Sequence, residues 1–515
     1  MMLPLEGLKI ITAHEMLRVE GMAYAEGASE QAFMENAGRA IAQAVIDFLE
    51  AHHLPKMVTL LVGKGNNGGD AYVAGAKLIE SGVTVNAYHI YSLESCGPLC
   101  KAMYERFCSH GGTVHFVHDE KTFHFEPQGV ILDGLVGTGF RGQSEGVLAL
   151  AIESANRSNL PIIAIDIPSG VDGNTGNVAT VAIDAEETIF LGSPKSGFFL
   201  RNGWDHVGKL RYVNFGLREN YLADAKAAAY LVNEEAISQI LPPMTRTRHK
   251  YQAGYVVAIA GSPGMPGAAI LASYAALRSG AGIVRLFHPC GMQAELNSAP
   301  YELIREEWDG KDSSRILEES KRAKALLVGP GMGRTKMAKG MLHTAITYLD
   351  LPTVLDADAL FFLSEHPDWK LPTTTILTPH RREMDLLLGA PIPGKEEINY
   401  LELCQAFVEE KKVTVVLKGA PTFIFHPQTS PLCMTRGDPG MATAGTGDVL
   451  TGMIAAMLAQ GLPARHAATV AVYLHAVAGE TAAQELTSYC VTASDLFDFI
   501  PDAFHTVSIC SLATL

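Results

Sequence analysis

The chain has 515 residues and a formal net charge of -15, and 48% of its residues are hydrophobic against 18% charged. A single hydrophobic core stops growing at roughly 250–300 residues, so this length predicts two domains. The composition excludes a disordered or fibrous chain. The acidic excess argues against a nucleic-acid partner, because non-specific affinity for nucleic acid comes from Lys and Arg neutralising phosphates.

The segment up to Met16 lacks a basic stretch followed by an uninterrupted apolar one, so it predicts no signal peptide. No apolar run is long enough to span a bilayer. We therefore expect a cytoplasmic protein without a membrane partner. Cys96, Cys100 and Cys108 form the one cluster among eight cysteines, and their spacing favours reduced thiols over a zinc site.

In the first half, β-branched apolar runs alternate with glycine-rich turns and segments of helical periodicity, which predicts a parallel sheet wrapped by helices. Residues 11–50 read mostly as helix. A strand is expected to end near Val62, and the helix after it is expected to close at Gly82. Further strands are predicted at 129–132, 161–165, 187–191 and 209–213.

The pattern lapses over residues 217–241 and restarts after the basic, proline-bearing segment PPMTRTRHKYQAG, which is typical of a join between domains. The boundary is expected near residue 230, giving domains of residues 1–228 and 229–515. The second half also predicts an α/β domain, with strands at 255–260, 282–287, 325–328, 353–355, 374–377 and 413–417.

Three carboxylates follow strands of the first half, namely Asp70, Asp133 and Asp166, and ligands bind beyond the carboxyl ends of parallel strands. Residues 63–68 match the pattern GxGxxG, which alone is a weak indication of a dinucleotide loop. Asp70 argues against an ordinary dinucleotide-binding loop, because a carboxylate at the start of the following helix would repel the pyrophosphate. The loop GTGFRGQ, residues 137–143, offers backbone N–H groups and Arg141 and is the better phosphate cradle.

Asn67, Asp133 and Ser169 supply oxygen donors from three strand ends, which suits an alkali cation. For any one of these loops alone, plain turn chemistry is the better explanation of the residues. Their joint placement favours a site.

The segments MENAG (34–38), GNNGGD (65–70), GTG (137–139) and DIPSG (166–170) resemble the NAD(P)H-hydrate epimerase family. The resemblance implies a Rossmann-like, three-layer sandwich domain that interconverts the R and S hydrates, NADHX and NADPHX. It implies a potassium ion held by Asn67, Asp133 and Ser169, with Asp166 as the acid/base group. Lys195 is either a ligand contact or a surface lysine. The expected hydrate contacts are Asn66, Asn67, Gly68, Gly69, Asp70, Gly137, Thr138, Gly139, Phe140, Arg141, Gly142, Gln143 and Asp166.

In the second half, small residues of MATAGTGDVLTGMIAAMLAQG lead into a helix whose first N–H groups, at residues 445–447, would face an anion. Asp448 beside them suits a base that deprotonates a hydroxyl during phosphoryl transfer. The alternative for Asp448 is an acid that stabilises the helix dipole.

GTGD resembles the anion hole of ribokinase-like kinases, and six segments together are similar to the NAD(P)H-hydrate dehydratase family: 261–269, 275–284, 329–333, 356–360, 377–380 and 417–422. The resemblance implies a ribokinase-like α/β domain in which ADP or ATP with magnesium, ADP in bacterial members, drives loss of water from the S hydrate. Its nucleotide contacts would be Lys418, Gly419, Ala420, Pro421, Thr422 and Gly447. Its hydrate contacts would be Ala268, Gly331, His380 and Asp448, with Asp448 catalytic; a capping role is the alternative for His380.

Three other functions are weighed against this interpretation. A small-molecule kinase would use the second half but leaves the first unexplained. A nicotinamide dehydrogenase is disfavoured by Asp70 and by the lack of a ribose-binding acid other than Glu94. A non-enzymatic binding scaffold is disfavoured by Asn67, Asp133 and Asp166. The resemblance also implies a homo-oligomer, tetrameric or larger.

Overall fold

The structure of this chain, a computed structural model, describes residues 3–117, 125–389 and 397–512. It divides into two compact units. The N-terminal unit comprises Leu8–Ala229, and the C-terminal unit combines the residues up to Gly7 with most of the chain from Tyr230 onward. The opening residues, which the predicted boundary places in the first domain, therefore belong to the C-terminal unit. The physical reason is strand β1 (Glu6–Ile10), which pairs at the edge of the C-terminal sheet.

The N-terminal unit is built on a seven-stranded sheet in which every neighbouring pair of strands is parallel. The strand order is β4-β3-β2-β5-β6-β7-β8. The predicted strands at 187–191 and 209–213 are observed with those bounds. The strands are β2 (Met57–Val62), β3 (Thr84–His89), β4 (Thr113–Phe116), β5 (Val130–Gly134), β6 (Ile162–Ile165), β7 (Glu187–Leu191) and β8 (Lys209–Val213).

The order of these strands reverses between β2 and β5, because the chain runs outward from β2 to β4 and then returns to β5 on the other side. Such a switch point opens a crevice beyond the carboxyl ends of the two strands, where ligands of α/β proteins bind. The helices are α1 (Ala13–Ala25), α2 (Glu30–Ala51), α3 (Asn66–Glu80), α4 (Pro98–Ser109), α5 (Gly146–Arg157), α6 (Gly203–His206) and α7 (Glu219–Asp224). The largely helical reading of residues 11–50 is confirmed by α1 and α2.

The C-terminal unit is built on an eleven-stranded sheet of order β1-β9-β18-β17-β16-β15-β14-β13-β10-β11-β12. Strands β10 to β16 all run parallel to their neighbours within this set, whereas β17 is antiparallel to both of its neighbours. The strands after β1 are β9 (Ala229–Val232), β10 (Tyr255–Ile259), β11 (Ile283–Pro289), β12 (Ile304–Trp308), β13 (Ala325–Val328), β14 (Thr353–Leu355), β15 (Thr375–Leu377), β16 (Thr414–Leu417), β17 (Thr422–Phe425) and β18 (Leu432–Met434). A second switch point lies between β10 and β13.

The helices of this unit are α8 (Glu234–Ile240), α9 (Pro266–Arg278), α10 (Ser314–Ser320), α11 (Lys336–Tyr348), α12 (Asp358–Glu365), α13 (Arg381–Leu387), α14 (Glu397–Lys411), α15 (Thr446–Ala459), α16 (Ala464–Leu486) and α17 (Leu496–Leu512). Helix α15 is buried almost all round and packs closely on α9, because a Cβ at Gly452 would lie 2.0 Å from the Ala272 carbonyl oxygen. Within the described ranges, no helix is both long and apolar enough to cross a membrane. The predicted class, α/β with two domains, is confirmed.

Candidate functional sites

Glycines bring the loops after β2 and β5 together at the first switch point. A Cβ at Gly63 would lie 1.7 Å from the Leu135 carbonyl oxygen, and one at Gly68 would lie 2.1 Å from the Gly63 carbonyl oxygen. A Cβ at Gly137 would lie 3.3 Å from Oδ1 of Asn67. The GNNGGD and GTG segments therefore share one site, as the ligand hypothesis requires.

Asn67, Asp133 and Ser169 converge on the backbone of Val136. The Val136 carbonyl oxygen accepts from Asn67 Nδ2 (3.0 Å) and Ser169 Oγ (3.2 Å), and the Val136 N–H donates to Ser169 Oγ (3.0 Å). The Asp133 carboxylate accepts from Ser169 Oγ (2.6 Å), Ser169 N–H (2.8 Å) and Leu135 N–H (3.1 Å). Burial raises the pKa of Asp133 to about 6, although these hydrogen bonds act against the shift.

This group of side chains fits an alkali cation. All its ligand atoms are hard oxygens, which potassium-like ions prefer to nitrogen or sulfur. Asp133 is fully buried, and the groups that bond to it carry no positive charge, so a monovalent cation would balance the carboxylate.

Asp166 and Lys195 form a buried ion pair at the ends of β6 and β7. Lys195 is 0% exposed; its Nζ donates to Asp166 Oδ1 and to the Leu191 carbonyl oxygen (3.0 Å). The Leu191 N–H also donates to Asp166 Oδ1 (3.1 Å). The surface-lysine alternative for Lys195 is therefore wrong. Asp166 has a φ of 62°, a strained conformation of the kind that clusters at functional sites.

Two further carboxyl groups lie close to this ion pair. Asp70, buried on α3, has a pKa raised well above its usual value by burial and then by the charges of Asp166 and Glu20. Burial and then the charge of Asp166 raise the pKa of Glu20, on α1, to about 7, against the effect of Lys195. Glu20 was not found in the sequence, because the periodicity of α1 marks it only as a helical position.

The loop of residues 137–143 is closed on itself. The Phe140 N–H donates to the Gly137 carbonyl oxygen (2.9 Å), and Arg141 Nη1 donates to the carbonyl oxygens of Thr138 (3.1 Å) and Phe140 (2.6 Å). The Arg141 side chain is 39% exposed. It therefore lies at the surface of the loop, where a phosphate can reach it.

In the C-terminal unit, Asp448 lies in the first turn of α15, after Gly445 in a left-handed conformation (φ 98°). Burial and then the charge of Asp356 raise the pKa of Asp448 to about 7, while Lys418 acts to lower it. A carboxyl group that titrates near neutral pH suits general base catalysis.

Lys418 connects this turn to the centre of the sheet. Its Nζ donates to Asp356 Oδ1 (2.8 Å), and a Cβ at Gly447 would lie 3.3 Å from that Nζ. Burial alone would lower the pKa of Lys418, but Asp356 and its hydrogen bond hold that pKa above its usual value. Thr451 Oγ1 donates to the other carboxylate oxygen of Asp356 (2.7 Å). The ammonium group therefore stays charged beside the helix N-terminus.

Residues 356–360 carry part of the family resemblance, but no role was predicted for Asp356. Asp356 is 1% exposed and follows β14 directly, and an acid at the end of a buried parallel strand is the signal that singled out Asp133 and Asp166. The rule that an acid at the end of a buried parallel strand marks a site could therefore have singled out Asp356 from the sequence.

The structure brings Ala268 and Gly331 together at the second switch point, where a Cβ at Gly331 would lie 3.0 Å from that of Ala268. His380 precedes α13 as its N-cap: its Nδ1 accepts from the Glu383 N–H (3.3 Å), and the Glu383 carboxylate accepts from the His380 N–H (2.8 Å). The backbone of His380 also pairs with that of Lys418. The imidazole, 53% exposed, thus has the capping role and lies near the predicted nucleotide residues.

A family model described as NAD(P)H-hydrate dehydratase matches residues 256–502, and one described as YjeF-related protein N-terminus matches residues 30–197. Two curated relatives carry the name bifunctional NAD(P)H-hydrate repair enzyme Nnr. The one from Moorella thermoacetica is 31% identical over 512 residues and covers 96% of each chain. The one from Thermofilum pendens is 32% identical over 497 residues and covers 93% of each.

Solved structures match the second half. An ADP/ATP-dependent NAD(P)H-hydrate dehydratase from Bacillus subtilis, co-crystallised with ATP and Mg²⁺, is 28% identical, with 54% of this chain and 99% of that chain covered and a TM-score of 0.47. A ribokinase-like superfamily protein from Enterococcus faecalis is also 28% identical, with 54% and 96% covered and a TM-score of 0.49.

Proposed function

The chain belongs to the family of bifunctional NAD(P)H-hydrate repair enzymes, and on that premise we propose how its residues divide the two activities between the two units. It is an NAD(P)H-hydrate epimerase and an NAD(P)H-hydrate dehydratase in one chain, with a ribokinase-like C-terminal unit. The N-terminal unit epimerises and the C-terminal unit dehydrates.

For the dehydratase, the position of Asp448 in the first turn of α15, where the charge of Lys418 acts on it, carries the assignment. Asp448 takes the proton of the C6 hydroxyl as that oxygen attacks the terminal phosphorus of ADP or ATP. The N–H groups of Gly445 to Gly447 and the Lys418 ammonium face the charge that develops on the phosphoryl oxygens. Magnesium would accompany the nucleotide on its phosphates. This attack releases AMP from ADP or ADP from ATP and leaves a phosphate ester at C6. Phosphate then leaves C6 more easily than hydroxide would, and loss of a proton from C5 restores the dihydronicotinamide.

The remaining assigned residues form the two walls of this site. Ala268, Gly331 and His380 line the hydrate side. The nucleotide side is formed by Lys418, Gly419, Ala420, Pro421, Thr422 and Gly447.

For the epimerase, Asp166 is the proton-transfer group and Lys195 holds its carboxylate in place. The loops of residues 66–70 and 137–143 hold the hydrate. Potassium, held by Asn67, Asp133 and Ser169, would supply positive charge beside the phosphates of the substrate. The oxygen donors around Val136 support this proposal.

The test uses the purified full-length chain with separated R and S hydrates of NADPH, magnesium, and either ADP or ATP. Recovery of dihydronicotinamide absorbance from both epimers is expected. Asp448→Asn should lower the dehydratase kcat by roughly 10²- to 10⁴-fold, the usual contribution of a general base, while R and S still interconvert. Failure of the wild-type chain to restore absorbance with either nucleotide would contradict the proposal.

The tetrameric or larger assembly and the cytoplasmic location stay predictions. Size-exclusion chromatography with light scattering measures the assembly directly.

A further inference from the structure

A second carboxyl group faces the site of Asp166 from helix α1. Met16, one turn before Glu20, lies against Gly192, where a Cβ would be 3.0 Å from Met16 Cε. Gly192 directly follows Leu191, whose backbone N–H and carbonyl oxygen bond to Asp166 and Lys195 respectively. Because residues four apart share one face of a helix, Glu20 lies on the face that meets this ion pair.

The charges around Glu20 come from four elements. Asp166 follows β6, Lys195 follows β7, Asp70 lies on α3, and Glu30 opens α2. Tyr24 lies one turn further along α1, and the charges of Glu20 and Asp70 act on it. The single cation of this group, Lys195, is bonded to Asp166 and to the Leu191 carbonyl oxygen.

Glu30 is exposed to water, whereas Asp166, Asp70 and Glu20 are buried or partly buried. One lysine cannot balance these three carboxylates, so at least one of them keeps its proton. Lys195 pairs with Asp166, which leaves Glu20 and Asp70 to carry the proton. Burial and the charge of Asp166 raise the pKa of Glu20 to about 7. Asp70 is the more deeply buried of the two, at 7% exposure, whereas Glu20 is only partly buried and can exchange its proton with water.

We propose that Glu20 is a second catalytic residue of the epimerase, which donates a proton to the ring nitrogen of the hydrate while Asp166 accepts the proton of the C6 hydroxyl. This rests on the proposed epimerase function of the N-terminal unit. Two carboxyl groups of opposite protonation state at one substrate form an acid/base pair.

The reaction balances as a reversible ring opening. Asp166 takes the hydroxyl proton, the oxygen electrons form the aldehyde C=O bond, the C6–N1 bond breaks, and its electron pair on N1 takes the proton of Glu20. After rotation about the adjacent bond, N1 attacks the other face of the aldehyde. Asp166 then returns a proton to the oxygen and Glu20 recovers its own from N1. Both carboxyl groups end as they began, so no co-reactant is consumed.

The experiment follows interconversion of R and S NADPH hydrate by chromatography, with the full-length chain and no nucleotide. In the wild type, the rate should fall as pH rises through about 7, because the acid must be protonated. Glu20→Gln should lower kcat by roughly 10²- to 10³-fold and abolish this fall in rate, the alkaline limb of the pH profile. The KM for the hydrate should change less than about threefold. Glu20→Asp should keep the limb at a reduced rate.

Glu15→Gln, on the same helix but paired with Arg18, is the matched control and should behave as wild type. The urea transition of the N-terminal unit, which is the transition that ADP does not shift, reports whether this unit is folded in each variant. A wild-type chain that does not interconvert the hydrates contradicts the epimerase function itself. If the wild type interconverts the hydrates and Glu20→Gln keeps both the rate and its fall at alkaline pH, the role of Glu20 is overturned. The role is also overturned if Asp70→Asn abolishes the fall at alkaline pH and Glu20→Gln does not.

Discussion

The two candidate sites lie at equivalent places, each at the carboxyl ends of parallel strands, but they arrange buried charge differently. In the N-terminal unit, Lys195 is fully buried and bonded to Asp166, with further carboxyl groups close by. In the C-terminal unit, Lys418 bonds to Asp356 yet remains partly exposed beside a helix N-terminus. The first arrangement favours moving protons between carboxyl groups, and the second favours holding a phosphate.

The largest effect on stability is expected from Lys195→Met. The substitution leaves Asp166 buried without its partner, which should lower the free energy of unfolding of the N-terminal unit by about 3–5 kcal/mol. Urea denaturation measures this free energy. ADP stabilises only the unit that binds it, so the transition that ADP does not shift belongs to the N-terminal unit. The double variant Lys195→Met with Asp166→Asn should recover most of the loss, because Asn removes the charge and tolerates the φ of 62° at this position. A single variant as stable as wild type would mean that the ion pair contributes little.

Lys418→Met tests the phosphate-holding arrangement. A hydrogen bond to a charged group contributes about 1.5–3 kcal/mol, so the KM for ADP should rise roughly 10- to 100-fold while epimerisation is unchanged. Lys324→Met, the same substitution at an exposed lysine of the same unit, serves as control. An unchanged KM for ADP would place the nucleotide elsewhere.

The two sites are expected to differ in their pH dependence. If Asp448 acts as the base, kcat/KM should rise with pH through about 7, opposite in direction to the epimerase limb. Stability should move the other way: a raised pKa means that the folded chain binds this proton more tightly than the unfolded chain. The contribution of Asp448 to the unfolding free energy of the C-terminal unit should therefore fall as pH rises from about 4 to about 7. Urea midpoints across this range should vary less in Asp448→Asn.

The smallest effect is expected at His380, where capping and ligand binding can be separated. Asn is also a good N-cap, so His380→Asn should change stability by less than about 0.5 kcal/mol, whereas His380→Ala should lose about 1 kcal/mol. A few-fold rise in the KM for the hydrate in His380→Asn would assign the imidazole to the substrate. An unchanged KM would leave it the capping role alone.

The sequence predicted strands best where both faces of the sheet are covered. The strands at 187–191, 325–328 and 353–355 were found because a strand covered on both faces is a continuous apolar run. Strands β1, β4 and β12, which lie at sheet edges, escaped, and their side chains are largely exposed or half-buried. Burial is not the whole explanation, because the edge strand β8 was found. The buried strands β17 and β18, of four and three residues, were also missed.

The same distinction holds for the sites. Acids placed directly after apolar strands, such as Asp133 and Asp166, could be singled out from their neighbours in the chain. The burial of Lys195 could not, since it depends on an ion pair formed across two strand ends. Glu20 approaches that pair only through the packing of α1, which periodicity does not encode.

The position of β1 makes the N-terminal unit an insertion into the fold of the other. The chain leaves the C-terminal unit after Gly7 and returns at Tyr230, and the Ala228 N–H donates to the Ile10 carbonyl oxygen (2.8 Å), so the two ends of the insertion lie side by side. During synthesis on the ribosome, β1 emerges first, yet its neighbour β9 follows only after the whole epimerase unit has been made. The inserted unit can fold in that interval. A gene fragment that starts at residue 229 would therefore encode a dehydratase whose sheet lacks its outermost strand.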